Sequence, residues 1–234
     1  TGGEPLMSGE TWKLLDWFKT NKGRSTTRLA INSNLGAEVD VDRLLDSIEG
    51  LEVDIYTSNE AIGSQAEYIR DGLDWRAWLN NVDKILKSTR VRRLHIMNTI
   101  NALCLDSLPD FLEMVHNWKL ENGKDSINFS LNILRFPSFQ SPLVLPDSIR
   151  TKYKDRLQMW YNSHKDNPLL HQMELNQISR LIDYLDVVKT PHAGAAEQQI
   201  LQRDFKNFYQ QYDQRRNKNF TETFPALAEW YNTL

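Results

Sequence analysis

The sequence contains a single cysteine, Cys104, among its 234 residues. One thiol excludes a disulfide within the chain and is typical of a protein from a reducing compartment, so we expect a cytoplasmic location. One thiol also excludes any metal cluster that is held only by cysteines of this chain.

The sequence also lacks long hydrophobic runs and a dominant charge. Its apolar runs are only a few residues long, which excludes a transmembrane helix and predicts no membrane partner. The opening TGGEPLMSGE has neither a basic region nor an apolar core, so we expect no secretory signal there. The 28 basic and 31 acidic residues nearly cancel, and the charge gives no reason to expect nucleic acid as a partner.

Strand-like and helix-like stretches alternate through the first two-thirds of the chain. Short apolar or alternating runs predict strands, and they cover residues 28–34, 53–58, 93–98 and 127–134. Amphipathic stretches between them predict helices, and they cover residues 41–48, 65–88 and 108–118. Repeated strand–helix–strand units indicate parallel strands with right-handed crossovers. The fold class is therefore α/β, with either a (β/α) barrel, complete or partial, or a doubly wound sheet.

The pattern changes at about Pro146. Helix-like stretches then follow one another without strands, over residues 149–161, 169–188 and 195–215. We therefore predict an α/β region over residues 1–145 and a helical C-terminal region over residues 146–234.

Small polar residues follow the predicted strands. They are Asn32, Ser33 and Asn34, then Thr57, Ser58 and Asn59, then Asn98, Thr99 and Asn101. Ligands of parallel α/β folds bind at these strand ends, and the groups suit a small zwitterion better than a triphosphate. The sequence has neither GxxxxGK[ST] nor GxGxxG. The alternative is that each Asn or Ser only ends its strand in a turn.

The opening residues resemble a motif of a known family. Thr1-Gly-Gly-Glu-Pro-Leu6 is similar to the GGEP motif of the radical S-adenosylmethionine (SAM) enzymes, in particular those with a twitch-type C-terminal region. The resemblance implies that Gly2, Gly3 and Glu4 bind the amino group of SAM. A glycine turn exposes backbone carbonyls, and a carboxylate pairs with an ammonium group.

The stretch after the second predicted strand carries the most specific similarity. Tyr56-Thr-Ser-Asn-Glu-Ala-Ile-Gly63 and the helix after it resemble a family segment in which a Ser, and an Arg twelve positions later, hold the SAM carboxylate and ribose. Ser58 and Arg70 have that spacing.

Further stretches resemble the family in the right order. Asn34 lies in the stretch that resembles the end of the third barrel strand, and Asn98 in the one that resembles the fifth, on the nucleoside side of SAM. Leu131 to Phe136 resembles the sixth strand. Asp213-Gln-Arg-Arg216 with Phe224-Pro225 resembles the C-terminal part, and for Asp213, Arg215 and Arg216 we expect a structural ion-pair network rather than a substrate site.

The resemblance implies a fold and a reaction. The fold is a partial (β/α)6 TIM-like barrel, about strands three to six, followed by a helical C-terminal extension. The function is the SAM-binding part of an enzyme that cleaves SAM to a 5′-deoxyadenosyl radical, which abstracts hydrogen from a substrate. The substrate stays open, with a peptide or protein as the expectation among related twitch-type members.

The sequence departs from the family in one respect, which limits the properties that can be expected of this chain. Three cysteines of a CxxxCxxC loop hold the family's [4Fe–4S] cluster, and that loop precedes GGEP. This sequence has only Cys104, after the fifth strand. We therefore expect the chain to be the C-terminal portion of such a protein, with the cluster supplied by a preceding segment. Two alternatives stay open: a non-catalytic binding or scaffold domain derived from this fold, and an unrelated phosphate-binding barrel enzyme.

The cysteine count leads to a first prediction, that the isolated chain is catalytically inactive because it cannot ligate the cluster. Electron paramagnetic resonance after iron–sulfur reconstitution should show no stoichiometric [4Fe–4S] signal. A full-strength signal from this chain alone would contradict the prediction.

Overall fold

A computed structural model describes residues 3–21, 27–187 and 195–234. Its described residues contain a four-strand parallel sheet in the order β1–β2–β3–β4. The strands are β1 (Leu29–Asn32), β2 (Val53–Ser58), β3 (Arg93–Ile100) and β4 (Ile127–Ile133). The predicted α/β class and parallel strands are confirmed. Within the described ranges, no helix is both long and apolar enough to cross a membrane.

Helices separate the four strands. They are α1 (Gly9–Asn21) before β1, α2 (Val41–Ser47), α3 (Gly63–Ile69), α4 (Trp75–Lys87) and α5 (Leu108–Asn122). Short polar side chains begin two of them: Asp40 Oδ1 accepts a hydrogen bond from the Arg43 amide, and Asp74 Oδ1 from the Ala77 amide, each at 2.9 Å. Such caps satisfy amide groups that have no partner inside the helix.

The single helix predicted over residues 65–88 is wrong. The chain forms α3 and α4 instead, separated by a turn that contains Gly72 at a φ of 87°. Glycine adopts this left-handed conformation without a steric penalty, and Asp74 then starts a new helix.

In the described part of the chain after β4, the regular elements are helices. They are α6 (Asp147–His164), α7 (Gln172–Leu185), α8 (Ala195–Arg216), α9 (Phe220–Thr223) and α10 (Pro225–Thr233). The end of the predicted helix 169–188 lies outside the described residues at position 188.

The contacts group the chain into two compact units. The first unit is Thr1–Asn59, Leu73–Asn98 and Met114–Ser130, and the second is Glu60–Gly72, Thr99–Glu113 and Leu131–Leu234. The predicted boundary near residue 145 stays a prediction.

The core of the first unit lies on one face of the sheet. Side chains alternate between the two faces of a strand, so the buried Leu94 and Ile96 share a face and the half-buried His95 lies on the other. The indole N–H of Trp78 on α4 donates to Thr57 Oγ1 (3.3 Å), which places α4 on the Leu94 face. The sheet is thus apolar where α4 covers it and more polar on the opposite face.

A buried arginine joins two helices of the second unit. Arg150 on α6 has a side chain that is 4% exposed and donates from Nη1 to the carbonyls of Leu185 (2.8 Å) and Val187 (3.0 Å). These carbonyls lie at the C-terminal end of α7, where helices leave backbone acceptors without partners. Nη2 bonds Asp147, which is exposed.

We expect Arg150→Met to lower the free energy of unfolding by about 2 kcal/mol, because the substitution leaves two backbone acceptors without their donor. Urea denaturation measures the change. Lys154→Met is the matched control on α6, because Lys154 pairs with the mostly exposed Asp186 and should cost less than about 1 kcal/mol. Equal losses from the two substitutions would contradict the role given to Arg150.

Candidate functional site

The carboxylate of Glu4 lies beside the end of β1. Its Oε2 accepts from the Asn34 amide at 2.6 Å, and its Oε1 accepts from the Leu6 amide at 3.2 Å. Gly3, immediately before it, has a φ of 89°, which favours glycine. The structure thus brings Glu4 and Asn34 together. Gly2 lies outside the described residues.

Ser58 ends β2 as a half-buried residue. The strand register places it opposite Met97, one residue before Asn98. Both are therefore at the carboxyl end of the sheet, where strands of parallel folds present ligand-binding groups.

Asn98 is completely buried. Its Nδ2 donates to the carbonyl of Asn59, whereas its Oδ1 accepts no hydrogen bond from any described residue. A buried amide oxygen without a donor costs about 1–3 kcal/mol. The side chain of Asn98 lies on the same strand face as Leu94 and Ile96, which is the face that α4 covers.

Arg70 belongs to the second unit, where it ends α3. Its Nε and Nη2 both donate to Glu60 Oε2, at 2.9 and 2.7 Å. The Glu60 side chain is 5% exposed and that of Arg70 is 30% exposed. Burial raises the pKa of Glu60, and the charge and hydrogen bonds of Arg70 oppose that rise.

Sequence reasoning missed Glu60. The residue directly follows Ser58-Asn59, inside the stretch with the most specific similarity, and is a carboxylate ten positions before Arg70. That opposite charge, in a segment already assigned to the site, is the signal that could have found it.

A row of polar side chains crosses the half-exposed sheet face, and sequence reasoning missed it too. Asn32, Tyr56 and His95 are in register on three adjacent strands. The rings of Tyr56 and His95 lie 5.3 Å apart, and His95 Nε2 is 3.1 Å from Ser130 Oγ on β4. Parallel strands usually bury both faces in apolar side chains, so this face has a different role from the α4 face.

Cys104 is fully buried. Its S–H donates to the carbonyl of Asn101 at 3.2 Å. Burial raises the pKa of this thiol, and the nearby charge of Glu60 adds to that effect. A cluster ligand must be a thiolate with access to iron, so the only thiol of the chain does not fit an iron–sulfur cluster.

Asp213 has a structural role in the second unit. Its Oδ1 accepts from the hydroxyl of Tyr68 (2.7 Å) and its Oδ2 from the Phe220 amide (2.9 Å). Arg216 pairs with Asp71 at 2.8 Å. Asp213 on α8 therefore belongs to a network of interactions that joins α3, α8 and α9.

Comparisons with known proteins identify no relative. No protein-family model matches the chain, and neither the curated proteins nor the solved structures contain a significant match.

The environment of Cys104 predicts that it is unreactive in the folded protein, because the thiolate is the reactive form and burial disfavours it. Iodoacetamide should label it slowly under native conditions and completely in denaturant, as measured by mass spectrometry. Rapid, complete native labelling would show that the thiol is accessible.

Proposed function

We propose that this chain is the SAM-binding part of a radical SAM enzyme, and that β1 to β4 correspond to strands three to six of a (β/α)6 barrel. The observation that carries the proposal is the Glu4 carboxylate, which the Asn34 amide holds at the end of β1. A carboxylate fixed at the carboxyl end of a parallel sheet is suited to an ammonium group such as that of SAM's methionine part.

Other groups of the first unit complete this chemistry. Ser58 supplies a hydroxyl at the end of β2, and Asn98 on β3 is the residue that the resemblance gives to the nucleoside side of SAM. These groups therefore suit a ligand that carries an ammonium group and further hydrogen-bonding groups.

Two features of Arg70 support its assignment to SAM binding, namely its spacing from Ser58 in the sequence and the environment of its side chain. Nη1 makes no hydrogen bond to a described residue, and the side chain is partly exposed. A guanidinium with a free edge binds a carboxylate bidentately, which is the role that the resemblance gives to this residue.

The chemistry that SAM supplies in this family is hydrogen abstraction from a substrate, and a peptide or protein is the substrate we propose. The residues of this chain do not fit the cluster that this chemistry requires, so in this proposal the cluster ligands come from another segment or chain.

The second candidate is a binding or scaffold domain without catalysis. The burial of Cys104 favours it for the chain by itself. The gene sequence upstream of Thr1 discriminates the two, because a CxxxCxxC loop there supports the enzyme and its absence from the complete gene supports the binding domain.

We expect Arg70→Ala to weaken SAM binding by about 2 kcal/mol or more, because it removes one partner of a charged hydrogen bond. Isothermal titration calorimetry measures the affinity. Arg76→Ala, at an exposed position on α4, is the matched control and should leave the affinity unchanged. Unchanged affinity in Arg70→Ala would remove this residue from the site.

A further inference from the structure

The pairing of Glu60 with Arg70 is one-sided. Glu60 Oε2 accepts from Nε (2.9 Å) and Nη2 (2.7 Å), so a single carboxylate oxygen occupies one edge of the guanidinium. A guanidinium has five N–H groups in a rigid fork. The second N–H of Nη2 and one N–H of Nη1 form another edge, whose spacing matches the two oxygens of a carboxylate.

Burial makes the pairing persistent. The Glu60 side chain is 5% exposed, and a buried carboxylate is stable only with a charged or hydrogen-bonding partner. Loss of the pair would leave that carboxylate without its cation, so the Arg70 side chain is held in one orientation. An arginine otherwise loses considerable rotamer freedom when it binds a ligand.

We propose that Glu60 is a positioning residue, which orients Arg70 so that the free edge of its guanidinium binds the carboxylate of SAM. This inference rests on the proposed function, in which Arg70 contacts that carboxylate. Glu60 itself does not contact the ligand, and its effect on binding passes through Arg70.

The alternative role of Glu60 is purely structural. Arg70 ends α3, and the ion pair would then only hold this end of the helix in place. The two roles differ in one measurable respect. Positioning affects only ligands that have a carboxylate, whereas a structural defect weakens the binding of every ligand at the site.

The test compares SAM with decarboxylated SAM, which lacks only the carboxylate. Calorimetry on the 234-residue chain should show that Glu60→Gln weakens SAM binding about tenfold, a difference of roughly 1.4 kcal/mol, and changes the affinity for decarboxylated SAM less than about twofold. In the Arg70→Ala background, Glu60→Gln should cause no further loss, because residues that act through one contact are not additive.

The outcomes separate the two proposals. A wild-type chain that does not bind SAM at millimolar concentration overturns the proposed function and this inference with it. Three other results overturn the inference alone. In the first, Arg70→Ala weakens SAM binding and Glu60→Gln does not. In the others, Glu60→Gln weakens the binding of both ligands equally, or its loss adds to that of Arg70→Ala.

A folding control keeps the test decisive. Circular dichroism and thermal melting establish whether Glu60→Gln is folded. If it is not, Glu60→Asp retains the charge and withdraws it by one methylene group. The same selective loss of affinity for SAM is expected there, and an unchanged preference for SAM over decarboxylated SAM would overturn the inference.

Discussion

The parallel register of β1, β2 and β3 is the constraint on which the candidate site depends. Leu29 pairs with Val53, and Asp54 pairs with Arg93, so the three strands run in one direction. Parallel strands require crossover connections of a dozen or more residues, which the intervening helices provide. Every strand therefore ends at the same edge of the sheet, and the polar residues after each strand are collected there by topology.

The second constraint is the burial of charged side chains, each of which has a hydrogen-bonding or oppositely charged partner within its own unit. In the second unit, Glu60 is bonded by Arg70, and Arg150 by the last carbonyls of α7 and by Asp147. In the first unit, the buried ammonium of Lys119 donates to the Lys124 carbonyl and to Asn128. Buried charges cost several kcal/mol without such partners, so these pairings fix specific side-chain positions.

Local patterns in the sequence predict the strands well. Val53 to Ser58 is observed with its predicted bounds, because alternation between two faces is a property of consecutive residues. The break between α3 and α4 escaped prediction because the apolar pattern continues past it. Gly72 and Asp74 were the local signals, since a left-handed glycine and a capping aspartate separate two helices. The residues next to the break therefore contain enough information to predict it.

The candidate site is also only partly predictable from the sequence. The positions of Asn34 and Ser58 at the ends of β1 and β2 follow from the strand pattern. The hydrogen bond from the Asn34 amide to Glu4, thirty positions away, and the partner of Arg70 do not, because tertiary pairing leaves no periodic trace in the sequence.

These pairings also bear on the class of ligand. A fixed carboxylate at the end of β1 repels phosphate groups and attracts an ammonium group, whereas a guanidinium paired on one edge attracts a carboxylate. Phosphate sites instead use glycine-rich loops whose amides face the ligand, and Arg135-Phe-Pro-Ser-Phe139 after β4 supplies no glycine. Each of these charged groups has a defined partner within its own unit, Asn34 and Leu6 amides for Glu4 and the Glu60 carboxylate for Arg70. The charge and sequence around the end of β1 therefore argue against a phosphate ligand there.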